Sequence, residues 1–443
     1  MIRTLFFKKI STFASVSLLK GDMICSDPAD PGHVNLVMNR GRTSYSVHNR
    51  FFHMKTIVTR RLTATILSMS LLTVMAGAAI APALGVIKSH FAGEPDLLIQ
   101  LIVSIPALFI IITNLFFLQI SRLFGTRTIA LTGLLVYVAA GAGCWLVDDI
   151  HVLLALRALL GVSVGLIMPL STGLFSFYYP PERQASLMGL AAAMNQMGGV
   201  VATLLAGLLS TISWRYAFLV YLLGLVAVVL VVLYLPNDRL GSSNKRGVPF
   251  QPRQLLKFHP SVVGMMLLMT VFFIYPTNLA ITARQQAGLS VEGTTFLMMS
   301  LDVVAFFVGL AFGKIKHAFR QPVKYFAPLL FMVGYACFAL SHGIALLVIG
   351  AVCIGLAAGV GVPYLNTIAS IKGGKNSSTT VMPLISAALY MGQFISPLIV
   401  TPLSRALFGA GDIAGPYKVG VLVCVLFVLQ VYATRHFQSL PPK

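Results

Sequence analysis

Apolar residues fill this chain in long uninterrupted blocks, and polar residues gather in short gaps between them. A block of about twenty apolar residues matches the hydrocarbon core of a bilayer at about 1.5 Å of helical rise per residue. Backbone groups in lipid must be satisfied within their own segment, so each block predicts a helix rather than a strand. Twelve such blocks are predicted: Leu62 to Val86, Leu98 to Ile120, Thr128 to Val147, Val152 to Tyr178, Ala185 to Leu209, Tyr216 to Leu235, Ser261 to Thr282, Thr294 to Phe312, Tyr325 to Leu340, Ile344 to Ile368, Val381 to Leu403 and Tyr417 to Tyr432.

The longest gap, Pro236 to Pro260, is polar and basic and divides six blocks from six. The expected organisation is a six-helix bundle over 54–236, a linker over 237–259, and a second six-helix bundle with a short tail over 260–443. Within the gap, Gln254 to Phe258 reads either as a surface-lying amphipathic turn or as a solvated connector. Residues 1–53 do not share the pattern: they are mixed, polar and aperiodic, with Ser, Asn, Asp and Pro interspersed. Met54 is followed by Lys55, Arg60 and Arg61 and then by the first apolar block, as a polytopic chain usually begins. Residues 1–53 are therefore expected to be a disordered or non-native extension, which intact-mass analysis of the native protein tests.

The two halves share a register. Arg157, Gly161, Gly165 and Pro169, spaced by four, are matched by Ala351, Gly355, Gly359 and Pro363, each 194 residues later. Met188, Leu190 and Gly198 are matched at the same offset by Met382, Leu384 and Gly392. A fixed-offset repeat in an apolar chain points to a transporter built from two similar halves with its binding site between them.

Composition narrows this further. The 443 residues are 57% hydrophobic and 10% charged, and the mean hydropathy is +0.87. The net charge of +20 does not imply nucleic-acid binding, because the basic residues sit in the gaps and follow topology. Alternate gaps carry Lys55, Arg122, Arg127, Arg183, Arg239, Lys245, Lys314, Lys316 and Lys372, whereas the opposite gaps carry Glu94, Asp96, Asp148, Asp149, Glu292 and Asp412. The basic side is expected to be cytoplasmic, with both termini inside. Five scattered Cys and nine scattered His give neither a metal spacing, nor a disulfide framework, nor a nucleophile–base pair. No Gly-x4-Gly-Lys-Ser/Thr loop is present, so a proton gradient rather than ATP or a cofactor is the expected energy source, and no enzyme activity is expected.

Several segments resemble the major facilitator superfamily, and particularly its twelve-span drug:proton antiporter branch. Arg157, Gly161, Gly165 and Pro169 resemble its fourth-span motif; Trp214, Arg215 and Phe218 resemble the entry to its sixth span; and "AGAAIAPALGVI" resembles the first span of the drug-efflux branch. The loop "LQISRLFGTR" matches the family pattern at Gly125 and Arg127 but has Arg122 where an Asp is usual and Leu118 where a Gly is usual. The fifth-span Gly-Pro-x-x-Gly-Gly motif reads Ala202, Thr203, Leu204, Leu205, Ala206, Gly207. The resemblance implies a monomeric, multi-pass bacterial inner-membrane transporter of a small molecule, with two pseudo-symmetric six-helix halves.

Asp302 is the one carboxylate placed well inside a block. An acid at mid-membrane costs on the order of 2.5–3.5 kcal/mol, so it predicts a proton carrier or the counter-ion of a cationic substrate. The competing reading is a neutral acid hydrogen-bonded to a neighbouring helix. Arg157 is the one basic residue placed deep in a block. It is expected either to pair with or modulate Asp302, as the family motif implies, or to snorkel toward Asp148 and Asp149. Gly161, Gly165, Gly355 and Gly359 predict close helix approach, and Pro169 and Pro363 predict kinks. Polar or aromatic residues at mid-block, namely Asn195, Gln196, Tyr275, Asn278, Tyr364, Asn366, Tyr390 and Gln393, are candidate substrate contacts in helices that line the cavity of this superfamily; each also reads as an ordinary helix–helix contact. The favoured expectation is proton-coupled efflux of small amphipathic compounds. Uptake of a small nutrient is the alternative.

Overall fold

In the computed structural model the described residues are 60–435, except 180, 239–251, 320–321, 342, 374–380 and 410. They form helices joined by short turns: α1 (Arg60–His90), α2 (Asp96–Leu123), α3 (Thr126–Gly143), α4 (Ile150–Tyr178), α5 (Pro181–Ser210), α6 (Trp214–Tyr234), α7 (Pro252–Ala287), α8 (Val291–Phe319), α9 (Val323–Ala339), α10 (Ile344–Gly373), α11 (Met382–Phe408) and α12 (Gly415–Ala433). Eleven are long and apolar enough to cross a membrane; α9, with 17 residues, is apolar but shorter. Each corresponds to one block of the apolar pattern. The seventh starts earlier than the pattern predicts: Pro252–Ala287 is one continuous helix, so Gln254 to Phe258 forms its first turns rather than a separate connector. Lys and Phe in those turns do not interrupt a helix that the following apolar run already stabilises. The expected extension over 1–53 lies outside the described residues.

Polar caps define the helix starts at one end of the bundle. The Asp149 carboxylate accepts from the amides of His151 and Val152 at 2.8 and 2.9 Å, taking two donors that the first turn of α4 cannot use. Ser290 does the same for Gly293, at the start of α8. Inside the helices, prolines shape the backbone: Pro82 lies in a 3-10 turn, Ala81–Ala83, that interrupts α1. Pro169 and Pro363 both lie within continuous helices.

The repeat is visible in the packing. In the first half α1 packs on α5, α2 on α4, and α3 on α4 and α6; in the second, α7 packs on α11, α8 on α10, and α9 on α10 and α12. Gly161 lies against the backbone of Pro106 and Gly165 against Ile110 and Thr113, so α4 meets α2 backbone to backbone. Gly355 and Gly359 meet Leu301 and Ala305 of α8 in the same way. Gly198 meets Leu71, and Gly392 meets Met266. A side chain at these positions would overlap a facing carbonyl or, at Gly165, the Thr113 side chain, so small size is required there.

Two flanks join the halves, α2 with α11 and α5 with α8, and these are equivalent under the repeat. Hydrogen bonds and ion pairs join the halves at the end that carries Asp96, Asp148 and Asp412, here the acidic end, and at mid-depth, and Tyr390 bonds Met168 across the halves closer to the other end. At the rim Arg405 on α11 pairs with Asp96 on α2 at 2.9 Å, and Asp96 also meets Lys88. One helical turn deeper on both helices, Thr401 bonds the Gln100 carbonyl oxygen, and the Gln100 amide donates to Asn278 on α7 at 2.9 Å. On the opposite flank Gly207 packs on Thr295, which leaves no room for a side chain.

Candidate functional site

Asp302 lies on the α8 face turned toward α5. From Val291 it is eleven residues into the helix, roughly 16 Å, or about half of a 30 Å hydrocarbon core. It is half-buried, and its carboxylate accepts from the Thr203 hydroxyl of α5 at 3.1 Å. Among the described residues this is the one mid-span acid, and it sits in the joint between the halves, bonded across it. Thr203 stands where the family's fifth-span motif has Pro, and it was not singled out as a site residue; a hydroxyl in an apolar run gives a weak signal until its facing acid is known.

Arg157 is not beside this acid. It is 0% exposed and buried wholly within the first half. Its Nε donates to the Ile102 carbonyl at 2.7 Å, one terminal nitrogen donates to the Tyr221 hydroxyl at 2.6 Å, and the other to the Ala76 carbonyl at 2.7 Å. The guanidinium also lies 5.7 Å from the centre of the Tyr221 ring. No ion pair joins Arg157 to Asp302. Nor does Arg157 snorkel to the rim acids, because Asp148 pairs with Arg215 and with His90 at 2.9 Å, and Asp149 caps α4. Its carbonyl partners explain its position. Pro106 has no N–H to give to Ile102 four residues earlier, and Ala76 lies in the last turn of the regular part of α1. Both carbonyls need donors from outside their helix, and Arg157 supplies them.

The second half solves the same problem without a charge. Ala351 takes the place of Arg157, and the Tyr275 hydroxyl donates to the Leu297 carbonyl at 3.2 Å. Tyr335 donates to Val271 at 2.5 Å and lies 3.5 Å from the Phe272 carbonyl, which Pro276 leaves without its helical donor. Leu297 and Val271 are each 195 residues beyond Ile102 and Ala76. Two tyrosines thus hold the carbonyls that one arginine holds in the first half.

The other candidates scatter. Asn195 is half-buried and accepts from Thr73 at 3.1 Å, and Gln196 is exposed. Asn278 is buried in the α2/α11 flank with Gln100, so it does not meet Tyr275, although the two lie three residues apart. Tyr364 lines a small apolar cleft with Leu268, Gly361 and Phe427, among α7, α10 and α12. Asn366 is half-buried, Gln393 is buried beside Gly77, and Tyr390 directs its hydroxyl to the Met168 sulfur at 3.0 Å, across the halves. Among the described residues no group of three or more His, Cys, Asp or Glu is placed to hold a metal ion. Gln100, Thr401, Asp96 and Arg405 are functional candidates that the sequence reading passed over.

A sequence profile of the Major Facilitator Superfamily matches residues 66–397. The chain belongs to the major facilitator superfamily. Curated relatives include an uncharacterized transporter, YebQ, of Escherichia coli K12, 26% identical over 197 residues (44% of this chain, 42% of the relative). The multidrug transporter protein MdtP of Bacillus subtilis is 24% identical over 115 residues (26% of this chain, 21% of the relative). The matched segment thus spans less than half the length of each of these relatives. Among solved structures, a bacterial homologue of the human lysosomal transporter Spinster, inward-facing and occupied, superposes with a TM-score of 0.67 at 18% identity, over 85% of this chain and 95% of that one. The nucleoside transporter NupG gives 0.68 at 12% identity, over 86% of this chain and all of that one (100%). At these identities the structures show the shared major facilitator fold. In that frame Gly125 and Arg127 tie the start of α3 to the end of α6: Gly125 packs on Asn237, and Arg127 donates to the Val232 carbonyl at 2.6 Å.

Proposed function

We propose that this chain is a secondary active transporter that exports small amphipathic compounds in exchange for protons, with Asp302 as the group that alternately holds a proton and the substrate. The observation that carries this reading is the half-buried Asp302 carboxylate bonded across the α5/α8 joint to Thr203. A hydrogen bond between the halves makes the charge state of this carboxylate matter to their movement. The names of relatives such as MdtP are consistent with the export of drug-like compounds. Arg157 serves the scaffold in this reading.

The charge pattern supports placing the basic end in the cytoplasm of a bacterial cell membrane, with both termini there. Closure by Asp96, Arg405, Gln100, Asn278 and Thr401 is then on the outside. The protein works as a monomer. Dye accumulation in energised inverted vesicles, compared between the wild type and Asp302→Asn, tests the proposal. Gradient-driven uptake that the substitution abolishes supports it. Equal uptake by both removes Asp302 from coupling, and proton-driven movement of a nutrient in the opposite direction replaces export with import.

A further inference from the structure

A cleft at the basic end of the second half takes no part in the transport reading. It lies among α7, α9, α10 and α12, walled by Leu268, Ala327, Leu365, Phe427 and Val431. Of its lining residues Lys324 alone is half-exposed and the rest are buried, so the lysine stands at the mouth. The space is about 240 Å³ including that mouth, below the roughly 300–1,000 Å³ of small-molecule sites. Arg435, at the end of α12, lies beside Lys324, whose ammonium donates to the Arg435 carbonyl at 3.3 Å. That bond satisfies the end of α12 and uses one of three ammonium donors. The Lys324 ammonium is 5.4 Å from the centre of the Tyr325 ring, and the Arg435 guanidinium is 4.7 Å from that of Tyr432. Tyrosines collect at the headgroup level of a bilayer, which puts both cations at the depth of lipid phosphate.

Neither cation belongs to an ion pair among the described residues. From residue 239 onward the side-chain carboxylates are Glu292, Asp302 and Asp412, at the acidic end or at mid-depth. The first half is an internal control, because α3 and α6 are the counterparts of α9 and α12. There Asp238 supplies a carboxylate, which accepts from Tyr178 at 2.6 Å, and Thr126 closes the corner on Pro236 and Asp238. The second half has the cations and an apolar cleft, but no acid.

We propose that this cleft binds one anionic phospholipid from the leaflet at the basic end. Lys324 and Arg435 hold its phosphate, and the upper part of an acyl chain lies in the apolar mouth. A basic pocket between spans at the headgroup level is suited to an anionic lipid. The apolar walls favour a phosphate that carries a chain over a soluble one. Every wall belongs to the second half, so the lipid braces α9 against α12 and does not tie one half to the other. The site is independent of what Asp302 does.

Native mass spectrometry of the full chain in detergent, titrated with phosphatidylglycerol or phosphatidylcholine, tests the proposal. The expected result is one phosphatidylglycerol retained at least tenfold more tightly than phosphatidylcholine. The pair Lys324→Gln and Arg435→Gln should lower that affinity at least tenfold, whereas Lys314→Gln with Lys316→Gln, on the end of α8, should leave it within about twofold. Millimolar glycerol phosphate should not displace the lipid. The unaltered protein gives a second measurement that does not depend on a variant folding. In vesicles of phosphatidylcholine, a phosphatidylglycerol with a diazirine high on one acyl chain should crosslink to 323–327 and 427–431. Excess phosphatidylglycerol should suppress those crosslinks, and excess phosphatidylcholine should not. Equal retention of the two lipids, or an equal loss in both pairs of variants, overturns the proposal by reducing the effect to general attraction by a basic surface. Displacement by glycerol phosphate overturns the role of the cleft. Crosslinks confined to other helices overturn the site.

Discussion

Replacing Arg157 by Met keeps length and apolar bulk but removes all three of its hydrogen bonds. At the average of about 0.6 kcal/mol measured for side-chain bonds within membranes, three bonds amount to about 2 kcal/mol. The Ile102 carbonyl is then left without a donor, because Pro106 cannot supply one, and an unsatisfied buried carbonyl costs about 1–3 kcal/mol. Ala76 loses less, since the Tyr221 hydroxyl also donates to it at 3.0 Å. Removing a buried charge offsets part of the loss. The net expectation is destabilisation by about 2–3 kcal/mol, or roughly 5–10 °C in Tm at about 2–4 °C per kcal/mol. Cys144 and Cys424 are buried and free, so a thiol-reactive fluorophore followed during heating in detergent reads the unfolding. Tyr335→Phe in the second half removes a single neutral donor and should cost about 1 kcal/mol. Arg157→Lys should recover little, because a point ammonium cannot span three acceptors. The reasoning fails if Arg157→Met melts with the wild type but loses proton-coupled transport; Arg157 would then act on Asp302 rather than on the scaffold.

Exchanging the rim charges separates contact from charge: Arg405→Asp should weaken closure at the acidic end and raise the reactivity of a cysteine placed at Asn278, and adding Asp96→Arg should restore the wild-type labelling rate. Gly198→Leu and Gly392→Leu should each abolish folded expression, judged by a monodisperse chromatography peak, because both press a side chain into the backbone of a facing helix; a well-folded Gly392→Leu protein would contradict the packing. Asp148, held below the ordinary carboxylate range by its bonds to Arg215 and then to His90, should stabilise the rim at neutral pH and lose that contribution as the pH falls below that range. Asp148→Asn should therefore lower Tm at pH 7 but not at a pH where the acid is already neutral.

The fold was readable because lipid imposes length on every helix and because duplication left Gly161, Gly165, Gly355 and Gly359 in one register. The structure turns that register into four close approaches of α4 to α2 and of α10 to α8. Asp302 was readable because an acid in an apolar block is costly. Its partner was not. Hydropathy shows that a residue lies in a helix at a given depth, but not toward which neighbour it points, and Arg157 and Asp302 proved to lie on helices that serve different joints. Gln100 and Thr401 were missed for a related reason: each is a single polar residue in an apolar run, and each matters because the other faces it from a helix about 300 residues away.

The order of Arg157's acceptors along the chain has a consequence for biogenesis. Insertion of a lone arginine at the centre of a nascent helix costs on the order of 2.5–3.5 kcal/mol. Ala76 and Ile102 both precede Arg157 in the chain, so when α4 leaves the ribosome and enters the bilayer, two carbonyls of α1 and α2 that lack helical donors are already there. The charge that makes α4 costly to insert is also what recruits it to the helices made before it. The first half can thus assemble in the order of its synthesis, with Tyr221 closing the set when α6 arrives.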